Sequence, residues 1–108
     1  MDILGGILMN DIKMIEITIS SINKNIEIVI DYNKLLVNNT KKIDLKLIEQ
    51  LLNIICLWKD EYGYSNKIDA EEFIVKVFTD TKVDTFHGKG IYPSNYESFL
   101  DLVGELND

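Results

Sequence analysis

The sequence predicts an α+β domain in which a mainly antiparallel sheet of four or five strands carries two helices on one face. Apolar and polar residues alternate in four runs that form two neighbouring pairs, a pattern typical of half-buried strands joined as hairpins. Two other stretches repeat apolar residues at three- and four-residue spacing, which indicates amphipathic helices. Because each helix has a single apolar stripe, one face of the sheet can cover both. No linker or repeat divides the 108 residues, so we expect a single domain over residues 1–108.

The first hairpin is indicated by the alternation of isoleucine with polar residues. Ile15, Ile17 and Ile19 are separated by polar residues, and the alternation resumes at residues 26–32 after a polar loop. A period of two places the isoleucines of a strand on one face, which we expect to be buried. A short apolar run at residues 35–37 is the candidate for an additional strand.

Residues 44–60 are predicted to form the first helix. Asp44 stands where an N-cap residue belongs, because its side chain can accept a hydrogen bond from an amide of the first turn. Ile48, Leu52 and Ile55 mark the apolar stripe of this helix. A stripe of this length needs a sheet to cover it, and the two hairpins supply one.

The second hairpin and the second helix occupy the C-terminal half of the chain. Residues 73–78 alternate, and a turn separates them from a return strand over residues 83–87. Ser94 and Glu97 have the S-x-x-E spacing of a capping box, which predicts that the second helix begins there. The residues expected to be buried are the apolar members of the strands and helices: Ile15, Ile17, Ile19, Ile28, Ile30, Ile48, Leu52, Ile55, Phe73, Val75, Val77, Phe99 and Val103.

The composition favours a cytoplasmic protein. Cys56 is the only cysteine, so no disulfide forms within the chain and a cysteine-based zinc site is excluded. The apolar N-terminus lacks the basic residues of a signal peptide, and no stretch reaches the roughly 20 apolar residues that span a bilayer. Residues 1–11 either form a loosely attached segment or dock on the core.

The negative charge is concentrated in the second half of the chain. The net charge is −7, of which −6 falls on residues 61–108, where there are ten acids and four lysines. All eleven basic residues are lysine, and the arginine fork that favours phosphate and base recognition is missing. We therefore expect no nucleic-acid partner. The acidic half is either a binding face for a basic protein or a solvated surface that maintains solubility.

His87 and the adjacent Gly88-Lys89-Gly90 turn are the candidates for chemistry. A general base needs a partner that orients it, and Asp84 lies at a spacing that puts it on the opposite face of a regular strand from His87. A phosphate-binding loop would lead directly into a helix, whereas residues 91–93 intervene here. No catalytic residue, cofactor or metal site is predicted.

Aromatic and acidic residues together form a candidate partner-binding face. Tyrosine and tryptophan are frequent in interface hot spots, and neighbouring acids suit a basic partner. The residues expected on this face are Trp58, Asp60, Glu61, Tyr62, Tyr64, Glu71, Glu72 and Tyr92. The expected function is a non-enzymatic protein-binding domain, of the inhibitor or immunity type. The alternatives are a small-ligand binder or enzyme that uses His87 and its glycine turn, and a structural or oligomeric accessory protein that forms homo-oligomers.

The order of these features resembles small bacterial α+β proteins of the domain-of-unknown-function kind. The resemblance rests on the segments Leu57-Trp58-Lys59-Asp60-Glu61-Tyr62 and Phe86-His87-Gly88-Lys89-Gly90, followed by Pro93 through Phe99. It covers about residues 14–106. The resemblance implies a fold and transfers no functional residue.

Overall fold

The computed structural model of the chain describes residues 3–4, 7–8, 11–67 and 69–107, and these residues confirm the predicted α+β class. The elements follow in this order: β1 (Ile3–Leu4), β2 (Ile7–Leu8), β3 (Met14–Ser21), β4 (Lys24–Asp31), β5 (Leu36–Val37), β6 (Lys41–Lys42), α1 (Leu45–Ile55), β7 (Glu61–Tyr64), β8 (Glu72–Phe78), β9 (Val83–Lys89) and α2 (Tyr96–Asn107). The expectation for residues 1–11 concerns positions that lie partly outside the described residues. No helix in the described part of the chain is long and apolar enough to cross a membrane.

Within the described residues, seven strands form the main sheet in the order β6-β5-β4-β3-β8-β9-β7, and β1 pairs with β2 in a separate sheet. The prediction of four or five strands is therefore wrong. One additional strand is β6, a pair of lysines without apolar alternation, and the other is β7, which directly follows the range predicted for the first helix. β7 runs parallel to β9 and the other neighbours are antiparallel, so the sheet is mixed.

The isoleucine alternation sets the register at the centre of the sheet. Ile17 of β3 lies opposite Ile28 of β4 on one side and Val75 of β8 on the other. Ile15 and Ile19 face apolar partners on both sides in the same way. Because side chains alternate between the two faces, this register gathers the apolar residues of three strands on one face.

One hydrophobic core joins this face of the sheet to both helices. All the residues predicted to be buried are buried, and each large apolar side chain contributes about 1.5–3 kcal/mol when it leaves water. The core also contains residues outside the apolar stripes of the two helices, among them Ile12 and Phe86.

The first helix begins as predicted and ends earlier. Asp44 caps it, since its carboxylate accepts a hydrogen bond from the backbone N–H of Lys46 at 3.0 Å. The helix ends at Ile55, and the Trp58 N–H donates to the Ile55 carbonyl at 2.9 Å in the turn that follows. This turn lets the Trp58 side chain enter the core, while Leu57 stays 77% exposed.

A polar link joins the end of α1 to the start of α2. The Trp58 indole N–H donates to Asn95 Oδ1 at 2.6 Å, and the Asn95 amide donates to the carbonyl of Ile54 at 3.2 Å. Asn95 thus adds a second donor to a carbonyl group at the end of the helix, which also accepts a hydrogen bond from the Leu57 N–H at 3.4 Å. The Trp58 ring packs edge-on against three phenylalanines, namely Phe73, Phe86 and Phe99.

The second helix begins at Tyr96, later than the capping box predicts. Within the described residues, the hydroxyl of Ser94 makes no hydrogen bond, so the predicted box between Ser94 and Glu97 is wrong. The residue before the helix is Asn95, whose side chain is bound to the end of α1 rather than to the first turn of α2. The Tyr96 N–H donates instead to the Pro93 carbonyl at 3.1 Å.

Candidate functional site

β9 places His87 between two neighbouring strands. Phe86 and Gly88 are buried on the core side, so His87 between them lies on the opposite face of the sheet. β9 lies between β8 and β7 in the sheet. Each of these neighbours contributes a glutamate near the imidazole, Glu72 from β8 and Glu61 from β7.

The imidazole of His87 bridges these two glutamates. Its Nδ1 lies 2.8 and 3.0 Å from the two carboxylate oxygens of Glu61, and its Nε2 lies 2.7 Å from Oε2 of Glu72. An ionised carboxylate only accepts hydrogen bonds, so an imidazole bonded to two carboxylates carries a proton on each nitrogen. The bridge is therefore an imidazolium between two carboxylates, at a side chain that is 24% exposed.

The bridge shifts the pKa values of two of its members. The hydrogen bond to Glu72 is the largest influence that raises the pKa of His87 above its ordinary 6.5; the bond to Glu61 adds to it, and partial burial opposes it. The bond to His87 lowers the pKa of Glu61 below its ordinary 4.5, against a smaller opposing effect of burial. Both shifts favour the charged bridge.

The sequence conceals this bridge because its members are far apart along the chain. Glu61 lies on β7, a strand that no alternation predicts, so nothing in the sequence places it beside His87. The nearby acid, Asp84, lies on the core face of β9 and does not bond to His87. The one available signal is the predicted second hairpin: if its first strand is extended back from Phe73 by one residue, Glu72 and His87 lie on the same outward face.

The bridge leaves little free capacity for chemistry. Both ring nitrogens of His87 are bonded, so neither is ready to take a proton from a substrate. The described residues contain no group of three or more His, Cys, Asp or Glu that could hold a metal ion. The glycine turn uses its polar groups internally, since the Gly90 N–H donates to the Glu71 carbonyl at 3.2 Å and Lys89 Nζ lies 5.0 Å from the centre of the Tyr64 ring.

A second cluster brings together predicted acidic and aromatic residues around Glu71. The Glu71 carboxylate accepts hydrogen bonds from Lys24 Nζ at 2.9 Å and from the Tyr96 hydroxyl. Its backbone carbonyl accepts one from the Tyr92 hydroxyl at 2.9 Å, and the rings of Tyr92 and Tyr96 stack with centroids 4.5 Å apart. Burial, and then the bond to Glu71, raise the pKa of Tyr96 above its ordinary 10.0. The position of Tyr96 on the apolar stripe of α2 conceals this polar contact in the sequence.

The other residues predicted for the partner-binding face differ in exposure. Trp58 is 7% exposed, which leaves little of it for a partner to contact. Tyr62 is half-buried, and its hydroxyl accepts a hydrogen bond from the Lys59 N–H at 2.9 Å. Tyr64 is 63% exposed, and Asp60 is exposed as well.

A shallow groove of about 590 Å³ lies where the start of α2 meets Glu71. Glu71 and Glu97 supply carboxylates to it, while Tyr92 and Leu100 supply apolar surface. No basic residue is among the described residues that line it. A second groove, of about 350 Å³, shares Tyr92 and reaches the segment that follows α1.

α2 carries a line of carboxylates on its exposed side. Glu97, Asp101 and Glu105 follow one another at four-residue spacing and are all exposed, and like charges at this spacing destabilise a helix by about 0.2–0.5 kcal/mol per pair. α2 contains no basic residue, although Lys41 Nζ donates to the backbone carbonyl of Glu105 at 3.1 Å. None of these three acids is in an ion pair within the described residues. The acids that form ion pairs there are Glu61, Glu71, Glu72 and Asp80.

Comparison of the chain with models of protein families, with curated proteins and with solved structures finds no match. The geometry and the charge of the described residues are therefore what supports a function.

Proposed function

We propose that the protein is a non-enzymatic protein-binding domain, of the inhibitor or immunity type, and that its acidic, tyrosine-containing face binds a basic protein in the cytoplasm. The face consists of exposed or half-buried acids and tyrosines around the two grooves and along α2: Asp60, Tyr62, Glu71, Tyr92, Glu97 and Asp101. Glu61, Tyr64 and Glu72 are left out because they lie with His87 and Lys89 on the opposite face of the sheet. Trp58 is left out because it is buried. Nucleic acid and membranes are not among the proposed partners.

The observation that carries the proposal is the line of unpaired carboxylates on α2 beside the first groove. Glu97 and Asp101 are exposed and enter no ion pair among the described residues. Glu97 also lines the groove to which Tyr92 and Leu100 contribute apolar surface. An aromatic residue at a pocket, with charges around it, is the usual arrangement of an interface anchor and its steering charges.

The acids predicted from the sequence for the partner-binding face and the exposed acids of α2 differ in what a change of charge would remove. Glu61 and Glu72 hold His87, and Glu71 holds Lys24 and the hydroxyl of Tyr96. Reversing their charge would remove bonds within the fold, and a loss of binding would then be ambiguous. Glu97 and Asp101 have no such bonds among the described residues, so their reversal tests the surface charge alone.

The test is affinity capture from the source cell with the wild type and with a Glu97→Lys/Asp101→Lys variant. The matched control is Asp11→Lys/Glu27→Lys, which changes the net charge equally at two exposed positions outside α2 that form no ion pair among the described residues. We expect the wild type and the control to recover the same basic protein. With that protein purified, we expect association of the α2 variant to be about tenfold slower at low salt, because peripheral charges steer the encounter.

Two outcomes would contradict the acidic face. Equal recovery and equal association rates for all three proteins would show that the charge on α2 is only solvated surface. A defect of the α2 variant that is the same at low and high salt would not be electrostatic, because salt screens exposed charges beyond ~8 Å at physiological ionic strength.

The two alternative functions predict different experimental results. An enzyme or small-ligand binder built on His87 would lose its activity in His87→Gln and keep it in the α2 variant. Because both ring nitrogens of His87 are bonded to carboxylates, the geometry favours the protein-binding function over this one. A structural or oligomeric role would appear as self-association in analytical ultracentrifugation over a range of protein concentrations.

A further inference from the structure

We propose that His87 is a proton-dependent latch for the edge strand β7: as an imidazolium it ties Glu61 of β7 to Glu72 of β8, and loss of its proton releases β7 from the sheet. This latch goes beyond the protein-binding function and does not depend on it.

Few main-chain bonds attach β7 to the sheet. The strand is four residues long, it lies at the edge beside β9, and its register shifts within its length. The backbone bonds at its two ends run from the His87 N–H to the Asp60 carbonyl at 2.9 Å and from the Ser65 N–H to the Lys89 carbonyl at 2.8 Å. A short edge strand with an irregular register depends strongly on any side-chain contact that adds to these bonds.

Glu61 provides one such contact on the outward face, beside the packing of Tyr62 on the core and of the Tyr64 ring against Lys89. The Glu61 carboxylate accepts a hydrogen bond from Nδ1 of His87 at 2.8 Å and one from the Gly63 N–H of its own strand at 3.3 Å. The opposite nitrogen of the imidazole is bonded to Glu72. One charged ring on β9 therefore links the strands on both of its sides.

The two carboxylates make the link depend on the proton. A neutral imidazole has one N–H donor and one acceptor nitrogen, so it can donate to only one of the glutamates. Nε2 makes the shorter contact, 2.7 Å to Glu72, and the Glu72 side chain is 31% exposed against 61% for Glu61. We expect the remaining proton to stay on Nε2. The lone pair of Nδ1 then faces the carboxylate of Glu61 and repels it, and β7 with it.

The charged groups that face the imidazole favour its protonated form. Glu61 faces it from β7, and Glu72 faces it from β8, both in direct contact. Lys76 on β8 and Lys89 on β9 lie on the same face of the sheet as His87. His87 is paired with Ile74, whereas Lys76 is paired with Thr85 and Lys89 with Glu72, so each lysine belongs to the next cross-strand pair on that face. The apolar stripes of α1 and α2 pack on the other face of the sheet, in the core. The two anions in contact thus dominate the surroundings of the ring.

Release of β7 has a structural consequence for β9. The backbone N–H of His87 and the carbonyl of Lys89 lose their partners on β7. β9 then becomes the edge of the sheet, and an open edge is where an extended chain adds as a further strand.

NMR on the full 108-residue chain tests the latch. The ring signals of His87 are titrated with pH, and hydrogen exchange is measured at the amides of His87 and Ser65, which join β7 to β9. The control amide is that of Lys13, which donates to the Phe78 carbonyl at 2.8 Å in the same sheet. After correction for the intrinsic pH dependence of exchange, we expect the protection of the two β7–β9 amides to fall about tenfold across the titration of His87, while that of Lys13 stays constant.

Conservative variants separate the latch from a general effect of pH. Glu61→Gln keeps the size of the side chain and removes its charge, so the protection at Ser65 should lose its dependence on pH. Glu72→Gln should lower the pKa of His87, so that β7 is released at a lower pH. Glu16→Gln is the matched control, because Glu16 lies on the outward face of β3 and does not contact His87.

Several results would overturn the latch. A wild-type pKa of His87 at or below the ordinary 6.5 would mean that the carboxylates do not hold the proton. Constant protection at His87 and Ser65 would mean that β7 stays in place without it. A pH response that persists unchanged in Glu61→Gln would assign the response to another group.

Discussion

The centre of the sheet and its β7 edge are held together by different interactions. At the centre, Ile15, Ile17 and Ile19 of β3 face apolar partners on β4 and β8, and all three are buried. At the edge, β7 is attached through a charged bridge between Glu61 and His87 on the opposite face of the sheet. The first region depends on apolar area removed from water, whereas the second adds a charged contact on the outward face to its backbone bonds and to the packing of Tyr62 on the core.

The difference explains which parts of the structure a single sequence reveals. A strand that packs on a core repeats apolar residues with a period of two, and this period is present in its own residues. The segment Glu61–Tyr64 has no such period, and its partner His87 lies 26 positions away. A polar contact between distant residues produces no local pattern, so it becomes visible only once the fold is known.

The largest effect should come from removing an isoleucine at the centre. Ile17→Ala leaves a cavity beneath a fully paired strand, and we expect the free energy of unfolding to fall by about 2–5 kcal/mol. The matched control is Thr18→Ala, at the next position on the outward face of the same strand. Urea denaturation followed by circular dichroism measures both. If Thr18→Ala were as damaging as Ile17→Ala, the two faces of the sheet would not differ as described.

A smaller loss is expected at the polar link between the helices. Asn95→Ala leaves the Trp58 indole N–H without its partner and removes one of the hydrogen bonds to the Ile54 carbonyl. A buried polar group without a partner costs about 1–3 kcal/mol. The emission of Trp58 in the folded state should also shift to the red, because water replaces the amide. Asn53→Ala is the control, since the side chain of Asn53 is exposed on α1. A change at Asn95 no larger than at Asn53 would show that the link contributes nothing.

The hairpins, the core and the start of α1 could be predicted because each depends on residues close together in sequence. The alternation around Ile17 and the cap at Asp44 are examples. The end of α1 could not be predicted, because Trp58 continues the apolar stripe and only its contact with Asn95 shows that the chain has left the helix. β6 was missed for the same reason as β7, since Lys41-Lys42 has no side-chain pattern of a strand.

The contacts of the candidate site also differ in whether the sequence predicts them. Glu71 and Tyr92 were predicted for one face and do meet, because both lie near the ends of elements that pack together. The bridge around His87 was missed, since Glu61 comes from β7, whose pairing with β9 is non-local. The exposed acids of α2 lie away from its apolar stripe, and only the structure places Glu97 at the groove beside Glu71.

The third prediction concerns the pH dependence of stability, which should come from the edge and not from the centre. The pKa of His87 is raised, so its contribution is fully present below about pH 6.5 and is lost as the pH rises through the raised pKa. The pKa of Glu61 is lowered, so its contribution is present above about pH 4.5 and is lost as the pH falls through the lowered pKa. The bridge therefore contributes most between these limits.

Denaturant midpoints across this pH range test the assignment. Glu61→Gln should flatten the decline in stability from mildly acidic to alkaline pH, by a modest amount because the pair is partly exposed and screened. Ile17→Ala should lower the stability by the same amount at every pH. Parallel pH profiles for the wild type and Glu61→Gln would show that the bridge does not contribute to the stability of the domain.

The smallest effect is expected at Ser94, where a local sequence motif and the structure disagree. Ser94→Ala should change the free energy of unfolding by less than about 0.5 kcal/mol, because its hydroxyl makes no hydrogen bond within the described residues. Asp44→Ala is the matched comparison: its carboxylate caps α1, and loss of an N-cap costs about 0.5–2 kcal/mol. Denaturation of both variants under the same conditions measures the difference. If Ser94→Ala were as destabilising as Asp44→Ala, the capping box would exist in solution, and α2 would begin before Tyr96. Asn95 would then lie inside the helix, and its link to Trp58 would have to be reconsidered.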